Sequence, residues 1–281
     1  MPQTPAVSVI IPARNEESCL GACLESLVGQ QGVEFEIIVV DDASTDRTAG
    51  IAGSFAGVKV LAASPPPAGW SGKSNAAQAG ADVAHGEWLL FTDADTVHAP
   101  GSLASSLAEA RTHDVDLLSY SPQQEVRTLA ERAVMPVIFA ELASIYRPKE
   151  VSDPQSPAAA ANGQYLLISR AAYDAVGGHA AVAHTLLEDV ALASAVKQSG
   201  RRIFFRYGGD AVRTRMYRSF PQLVEGWTKN LALLFAHPSR LALLRAFEFL
   251  LAGSGIALLL AGLLSRQIPV TVIGAVIAVP T

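Results

Sequence analysis

Two aspartates one residue apart, Asp93-Ala94-Asp95, are the first side chains in this sequence whose types and spacing suggest shared chemistry. Carboxylates so placed in a turn can converge on one hard divalent cation, Mg²⁺ or Mn²⁺. Such a cation neutralises a diphosphate and makes it a better leaving group. A solvated acidic turn has the same spacing, so position in the fold has to decide. Asp41-Asp42 is a second acidic pair, able to reach the same crevice or to cap a helix through Asp42 or Ser44. Glu188-Asp189 is a third, at the start of a helical stretch that follows a loop with His179 and His184. A carboxylate there can accept a proton from a substrate hydroxyl, or simply complement the helix dipole. The two histidines read as loop residues, although one could approach a metal. Arg213, Arg215 and Arg218 form a basic cluster, suited to bidentate phosphate binding or equally to lipid headgroups.

The stretch Gly69-Trp70-Ser71-Gly72-Lys73-Ser74 raises a rival chemistry. A phosphate-cradling loop reads G-x-x-x-x-G-K-[ST], and such nucleoside triphosphatases also carry an apolar strand ending in a Mg²⁺-binding Asp. Gly72-Lys73-Ser74 and the run from Trp88 to Asp93 match those parts, but the required first glycine falls on Pro67. Proline has no N–H to donate and cannot take the glycine conformation. The triphosphatase is therefore a distant alternative, although Lys73 can still reach a phosphate from a helix N-terminus. Cys19 and Cys23 lie one turn apart on an apolar face. They are too few for a disulfide framework and read as small core hydrophobes in a reducing cytoplasm.

These groups need elements to position them. Val7 to Ile11 is an apolar run between Pro5 and Pro12 and reads as a buried strand. Helical spacing follows from Glu16 to Val28; Phe35 to Val40 is a strand, and Ser44 or Thr45 can cap a helix running to Phe55. Val58 to Leu61 (strand), Lys73 to Ala84 (helix), Glu87 to Thr92 (strand), a helix opened by Pro100, and Asp116 to Tyr120 (strand) continue the alternation. This pattern predicts an α/β fold, a mostly parallel sheet with helices on both faces. Ligands of such sheets bind at the carboxyl ends of the strands, where Asn15, Asp42 and Asp93 all fall. Thr128 to Tyr146 is apolar and amphipathic with Pro136 inside it, and Arg147 to Pro157 is a Pro-rich loop. Gln164 to Ser169 and Arg201 to Tyr207 read as strands; Leu187 to Ser199 and Phe220 to Phe235 read as helices.

The 281 residues allow one sizeable α/β domain with an appendage. Half of them are hydrophobic and only 17% are charged, against roughly a quarter in typical soluble domains. The apolar excess is concentrated at Ala246 to Leu264, interrupted only by Glu248, and at Ile268 to Val279 beyond Arg266 and Gln267. The first run is near membrane-spanning length and the second is short; buried core helices are the alternative. Lys229, Arg240 and Arg245 before the first run favour a cytoplasmic catalytic domain in a cell-membrane protein. The N-terminus lacks the basic region and cleavage site of a signal peptide. The chain stops inside the second run, which leaves room for the natural protein to continue. The net charge of −5 argues against nucleic acid as a partner.

Taken together, SVIIPARNEE, VVDDASTD, GWSGKSNA, LLFTDADT, NGQYLLISR and LLEDVALASAVKQSG, in this order, resemble a family-2 glycosyltransferase with the nucleotide-sugar-binding GT-A fold. The resemblance runs from Ser8 to about Asn230. It implies a catalytic domain over 1–236, with a nucleotide-sugar half to about 120 and an acceptor half from 121, and a membrane-embedded segment over 237–281. It implies that Pro12, Ala13, Arg14 and Glu16 lie along the nucleotide, that Asp42 binds a base, uracil first, and that Lys73 lies near the donor. Asp93 and Asp95 would hold the metal and diphosphate, and Asp189 would be the general base of an inverting transfer. Membrane members often carry Q-x-x-R-W beyond the acidic pair; Gln222 to Trp227 only approximates it, which argues against a processive polysaccharide synthase. The chain looks more similar to enzymes that glycosylate ceramide, hopanoid or carotenoid lipids, with residues 128–146 at the bilayer surface. A polyprenyl-phosphate transferase or polysaccharide synthase of the same family is the runner-up.

Overall fold

The structure, a computed structural model, describes residues 4–217, 219–234, 238–266, 268–270 and 272–273. Arg218, the Lys229 side chain and most of the second apolar run lie outside the described residues. The first half alternates as its sequence predicts: β1 (Val7–Ala13), α1 (Leu20–Val28), β2 (Phe35–Asp41), α2 (Thr48–Gly53), β3 (Val58–Ala62), α3 (Gly72–Asp82) and β4 (Trp88–Phe91). Then come β5 (Thr96–His98), α4 (Ser102–Thr112), β6 (Leu117–Ser121), β7 (Gln123–Gln124), α5 (Leu129–Ile145) and α6 (Pro148–Ser152). β8 (Leu166–Ser169), α7 (Arg170–Ala175), α8 (Gly178–Val182), α9 (Glu188–Gln198), β9 (Ile203–Tyr207) and β10 (Val212–Thr214) follow, and α10 (Phe220–Leu234) and α11 (Pro238–Ser265) end the chain of elements.

The main sheet has seven strands in the order β3-β2-β1-β4-β8-β6-β9. Its neighbouring pairs are parallel except at β8, which runs antiparallel to both β4 and β6. Two cores follow from the period of two along a strand. Val7, Val9 and Ile11 of β1 face α1 through Leu20, Leu24 and Leu27. Ile10 points the other way, into a core with Ala76, Ala77 and Ala81 of α3. The near-continuous apolar runs of β1 and β2 are what a strand covered on both faces requires.

Several local expectations change. α1 starts at Leu20 rather than Glu16, because the Glu16 N–H is drawn to Thr48 Oγ1 at 2.8 Å and residues 16–19 form a turn. Neither Ser44 nor Thr45 caps α2, whose N-cap is Arg47 without a side-chain bond. Ser44 Oγ instead accepts the Asn15 N–H (3.0 Å), and Asn15 Oδ1 accepts the Thr45 N–H (2.8 Å). The capping groups therefore tie the first two strand-to-helix loops together. The Pro-rich stretch contains α6, and a second sheet, β5-β10-β7, was not anticipated because strands of two or three residues carry no readable period. α5 is as expected, with a full capping box between Thr128 and Glu131.

The chain divides into two compact units, Met1–Leu223 and Val224–Thr281. In the second, α11 is long and apolar enough to cross a membrane: its 28 residues span about 42 Å at 1.5 Å each. Its large apolar side chains are mostly uncovered, Phe249 at 79% and Leu264 at 87% exposure.

Candidate active site

The carboxyl ends of β1, β2 and β4 place their loops side by side. The Asp42 N–H donates to the Ala13 carbonyl at 2.8 Å, extending the β1–β2 pairing past the strand ends. Arg14 follows and reaches Asp42 Oδ2 at 3.5 Å, with its own side chain 65% exposed. Across from them α3 begins, its N-cap Ser71 accepting the Ser74 N–H at 3.0 Å. A Cβ on Gly72 would clash with Asp42 Oδ2, so any larger residue there has to displace the Asp42 carboxylate.

The next residue, Lys73, turns toward the β4 end. Its Nζ lies 2.8 Å from Asp93 Oδ1 and 3.3 Å from Glu188 Oε1. Desolvation opposes its charge, yet the Asp93 and Glu188 carboxylates outweigh that and hold its pKa above the ordinary lysine value. On the far side, Asp189 in the first turn of α9 is fixed through both oxygens. Oδ2 accepts the Gly163 N–H and Oδ1 the Val190 N–H, each at 2.8 Å. Burial and the Glu188 charge push Asp189 up to about 6, against the lowering by Lys73 and the two N–H donors. One cleft is lined by Pro12, Lys73, Asp93, His179, Glu188 and Asp189.

Asp95, half-buried in the same turn, is not among the residues that line this cleft. Its Oδ1 is buried without a hydrogen-bond partner. Burial and the Asp93 and Glu16 carboxylates push it up to about 7. The turn that carries both aspartates is held from beneath by a buried polar cluster. Thr96 Oγ1 donates to the Asp93 carbonyl at 2.7 Å, Thr214 Oγ1 to the Asp95 carbonyl at 3.3 Å, and Thr92 Oγ1 to the Gln164 carbonyl at 2.8 Å. His98 Nε2 lies 3.2 Å from both Thr92 Oγ1 and Thr96 Oγ1, and burial lowers this imidazole to about 3. β5 and β10 thus hold the turn in place.

These residues suit a divalent cation. Hard carboxylate oxygens are the right donors, and an orphaned buried oxygen on Asp95 is costly unless something compensates it. Among the described residues no group of three or more Asp, Glu, His or Cys side chains gathers there. Two protein carboxylates with the remaining positions left to phosphate and water is the usual Mg²⁺ arrangement.

The fold thus gathers Pro12, Lys73, Asp93 and Asp189 in one cleft, while Ala13, Arg14 and Asp42 line the adjoining strand ends. Glu16 lies on the loop after β1 and accepts from the Cys19 thiol at 2.8 Å. Arg213 and Arg215 are engaged elsewhere, with Glu125 (3.3 Å) and Glu131 (3.2 Å). His184 Nδ1 lies 3.2 Å from the Gly69 carbonyl, and His184 is not among the residues that line the cleft. Cys19 and Cys23 are free, and burial pushes each thiol up to about 12, as core positions require. Sequence reasoning passed over Glu188 as a partner of Lys73 and Gly163 as the donor to Asp189. The adjacent acids and the NGQ turn were the available signals.

Residues 8–176 match the sequence profile described as Glycosyl transferase family 2. A 4,4'-diaponeurosporenoate glycosyltransferase of Staphylococcus aureus (strain USA300) is 31% identical over 232 residues, 81% of this chain and 61% of that protein. The chain therefore spans about three fifths of the length of such curated relatives. Among solved structures, mannosyltransferase PcManGT from Pyrobaculum calidifontis, in complex with GDP-Man and Mn²⁺, superposes with a TM-score of 0.63 at 20% identity, covering 98% of this chain and 86% of that one. S. aureus TarS 1-349 in complex with UDP-GlcNAc gives 0.54 at 19% identity, over 81% and 65%. These likenesses replace the phosphate-loop triphosphatase as an account of Gly72-Lys73-Ser74. With its mostly parallel sheet and this match over residues 8–176, the chain belongs to glycosyl transferase family 2 and has the GT-A fold.

Proposed function

We propose that this enzyme moves a sugar from a nucleotide-sugar, a UDP-sugar first, to a hydroxyl of a lipid acceptor at the membrane, with inversion at the anomeric carbon. The observation that carries this reading is the single cleft in which Asp189 faces the Lys73–Asp93 pair. A carboxylate held at about 6 is mostly ionised at neutral pH and retains more basicity than an ordinary aspartate. Asp189 takes the proton of the acceptor hydroxyl as that oxygen bonds to the anomeric carbon. The bond from carbon to the diphosphate oxygen breaks, and its electron pair leaves with the diphosphate. One displacement inverts the centre. Asp93 and Asp95 would hold Mg²⁺ or Mn²⁺, which when bound neutralises the diphosphate. Lys73 adds a fixed positive charge on the same side. Pro12, Ala13, Arg14, Glu16 and Asp42 cradle the nucleotide.

The relative's name supports a lipid-related acceptor, and the ligands of the structural neighbours, GDP-Man with Mn²⁺ and UDP-GlcNAc, support a nucleotide-sugar and a metal. α11 supports membrane attachment through 237–281, and the catalytic domain, 1–236, would lie on the cytoplasmic side that Lys229, Arg240 and Arg245 favour. On α5, Leu129 (84% exposed) and Val137 (56%) are suited to the bilayer surface, where the helix would guide a lipid toward Asp189.

The test is a screen of the full chain in detergent with UDP- and GDP-sugars and extracted bacterial membrane lipids, reading nucleotide release and radiolabel in the lipid phase. Label is expected in a glycolipid, lost in Asp189→Asn while UDP binding persists. Label in polyprenyl phosphate or in polymer, or transfer only to soluble sugars, would refute the lipid reading.

A further inference from the structure

One group in the cleft has no part in the mechanism above. His179 is 4% exposed, follows a glycine pair, and lines the cleft beside Lys73 and Asp189. Its ring packs edge-on against Phe91 at 4.5 Å between centroids. Gly178, at φ 58°, makes the turn that brings it there, and a Cβ on Gly178 would lie 2.6 Å from the Tyr173 ring.

The hydrogen bonds around it fix which ring nitrogen carries the proton. Tyr173 Oη accepts the His179 backbone N–H at 3.1 Å and lies 2.9 Å from Nδ1 and 3.1 Å from Gln78 Oε1. The Gln78 amide is itself oriented: Oε1 accepts the Ala180 N–H at 3.0 Å and Nε2 donates to Asp82 at 2.8 Å. Gln78 Oε1 can only accept, so the one phenolic proton of Tyr173 must go to it. The short contact to Nδ1 is then a hydrogen bond only if Nδ1 is protonated and donates to Tyr173. The other assignment would leave two oxygen acceptors facing each other at 3.1 Å. Burial, reinforced by Lys73, lowers the imidazole to about 3, so it stays neutral. A neutral ring protonated at Nδ1 has a bare lone pair at Nε2. Among the described residues Nε2 has no hydrogen-bond partner, and it is not among the atoms sealed from solvent. His179 is among the residues that line the cleft, and the open Nε2 is the atom it has to offer there.

We infer that His179 is a specificity-determining residue whose unprotonated Nε2 accepts a hydrogen bond from one hydroxyl of the donor sugar. The inference rests on the reading of the cleft as the transfer site. The donor is the favoured source of that hydroxyl because His179 lies close enough to feel the charge of Lys73, which sits on Asp93 at the diphosphate side. Beside the charged carboxylates of Asp93, Glu188 and Asp189, a neutral acceptor adds a hydrogen bond that reads hydroxyl position without adding charge.

Two measurements test it on the full chain in detergent micelles. In the first, the UDP- or GDP-hexose active in the donor screen and its monodeoxy analogues are compared by nucleotide release in wild type, His179→Phe and Tyr173→Phe. The wild type should discriminate against one analogue by about tenfold, the effect of one hydrogen bond. That discrimination should vanish in His179→Phe and only at that position, whereas a merely structural role would lower every analogue alike. Discrimination unchanged at all positions overturns the inference. In the second, ¹⁵N-histidine spectra, with the His179 signals assigned by their absence from His179→Phe, should show an unprotonated Nε2 and a protonated Nδ1. Tyr173→Phe should redistribute the proton between them. A protonated Nε2 in the wild type overturns the inference even if the donor screen finds no substrate, and an empty screen with the expected spectrum counts against the transfer reading instead.

Discussion

Asp189→Asn separates the chemistry of this cleft from its stability. Asparagine keeps an oxygen for the Gly163 N–H but cannot take a proton. General-base catalysis contributes about 10²–10⁴-fold, so kcat should fall by that factor while donor KM holds. In the wild type, kcat should rise with pH through an acid limb near 6, set by burial of Asp189 and the Glu188 charge; the variant should lack the limb. The same shift has a thermodynamic side. The carboxyl moves from an ordinary 3.8 to about 6 on folding. An acid whose folded pKa is raised leaves stability intact below the unfolded value and removes it as pH climbs through the folded one. About two pH units at about 1.4 kcal/mol each give on the order of 3 kcal/mol, lost in full above pH 6. Asparagine escapes that loss, so at pH 8 the inactive variant should unfold several degrees above wild type, at about 2–4 °C per kcal/mol. The gap should close toward pH 4. Thermal unfolding from pH 4 to 8, run beside kcat, checks both. An offset that does not change with pH, or a kcat within tenfold of wild type, would refute the reasoning.

Lys73→Met leaves Asp93 and Glu188 without their shared cation, and a hydrogen bond to a charged group is worth about 1.5–3 kcal/mol. A loss of about 10- to 100-fold in kcat/KM is expected, with the acid limb moved to higher pH because Lys73 lowers Asp189. Gly72→Ala places a methyl against Asp42 Oδ2, and calorimetry should show UDP binding weakened about tenfold or more with the fold retained. Chelation should abolish transfer and added Mn²⁺ or Mg²⁺ should restore it, whereas Asp95→Asn should need more metal for half-maximal rate.

Much of the sheet was readable because its strands are buried on both faces and their apolar runs end in Asp42, Asp93 and Asn15. The order of those ends along the chain already pointed to one crevice. What could not be read were contacts that depend on three dimensions. The capping residues Ser44 and Thr45 have the right side chains for α2 but meet Asn15 first. Lys73 was placed near a phosphate by its helix N-terminus, yet its link to Glu188 joins elements far apart in sequence. Asp95, nominally the twin of Asp93, does not line the cleft, and its Oδ1 is buried without a hydrogen-bond partner. His179 resembled any loop histidine, since nothing local reveals that Tyr173 and Gln78 enclose it.

The antiparallel strand β8 has a consequence for how the chain comes to be folded. It sits inside the main sheet, between β4 and β6, rather than at its edge. When residues 1–121 have been made, β4 is paired with β1 on one side only and β6 with neither of its neighbours, so both present bare backbone N–H and C=O groups. Such open edges are templates for pairing with other chains. The sheet closes only after Leu166–Ser169 has been synthesised and threaded between them, a non-local step of the kind that slows folding. Fragments ending before residue 166 should therefore aggregate, and during synthesis the unfinished chain is most vulnerable while α5 and α6 are being made.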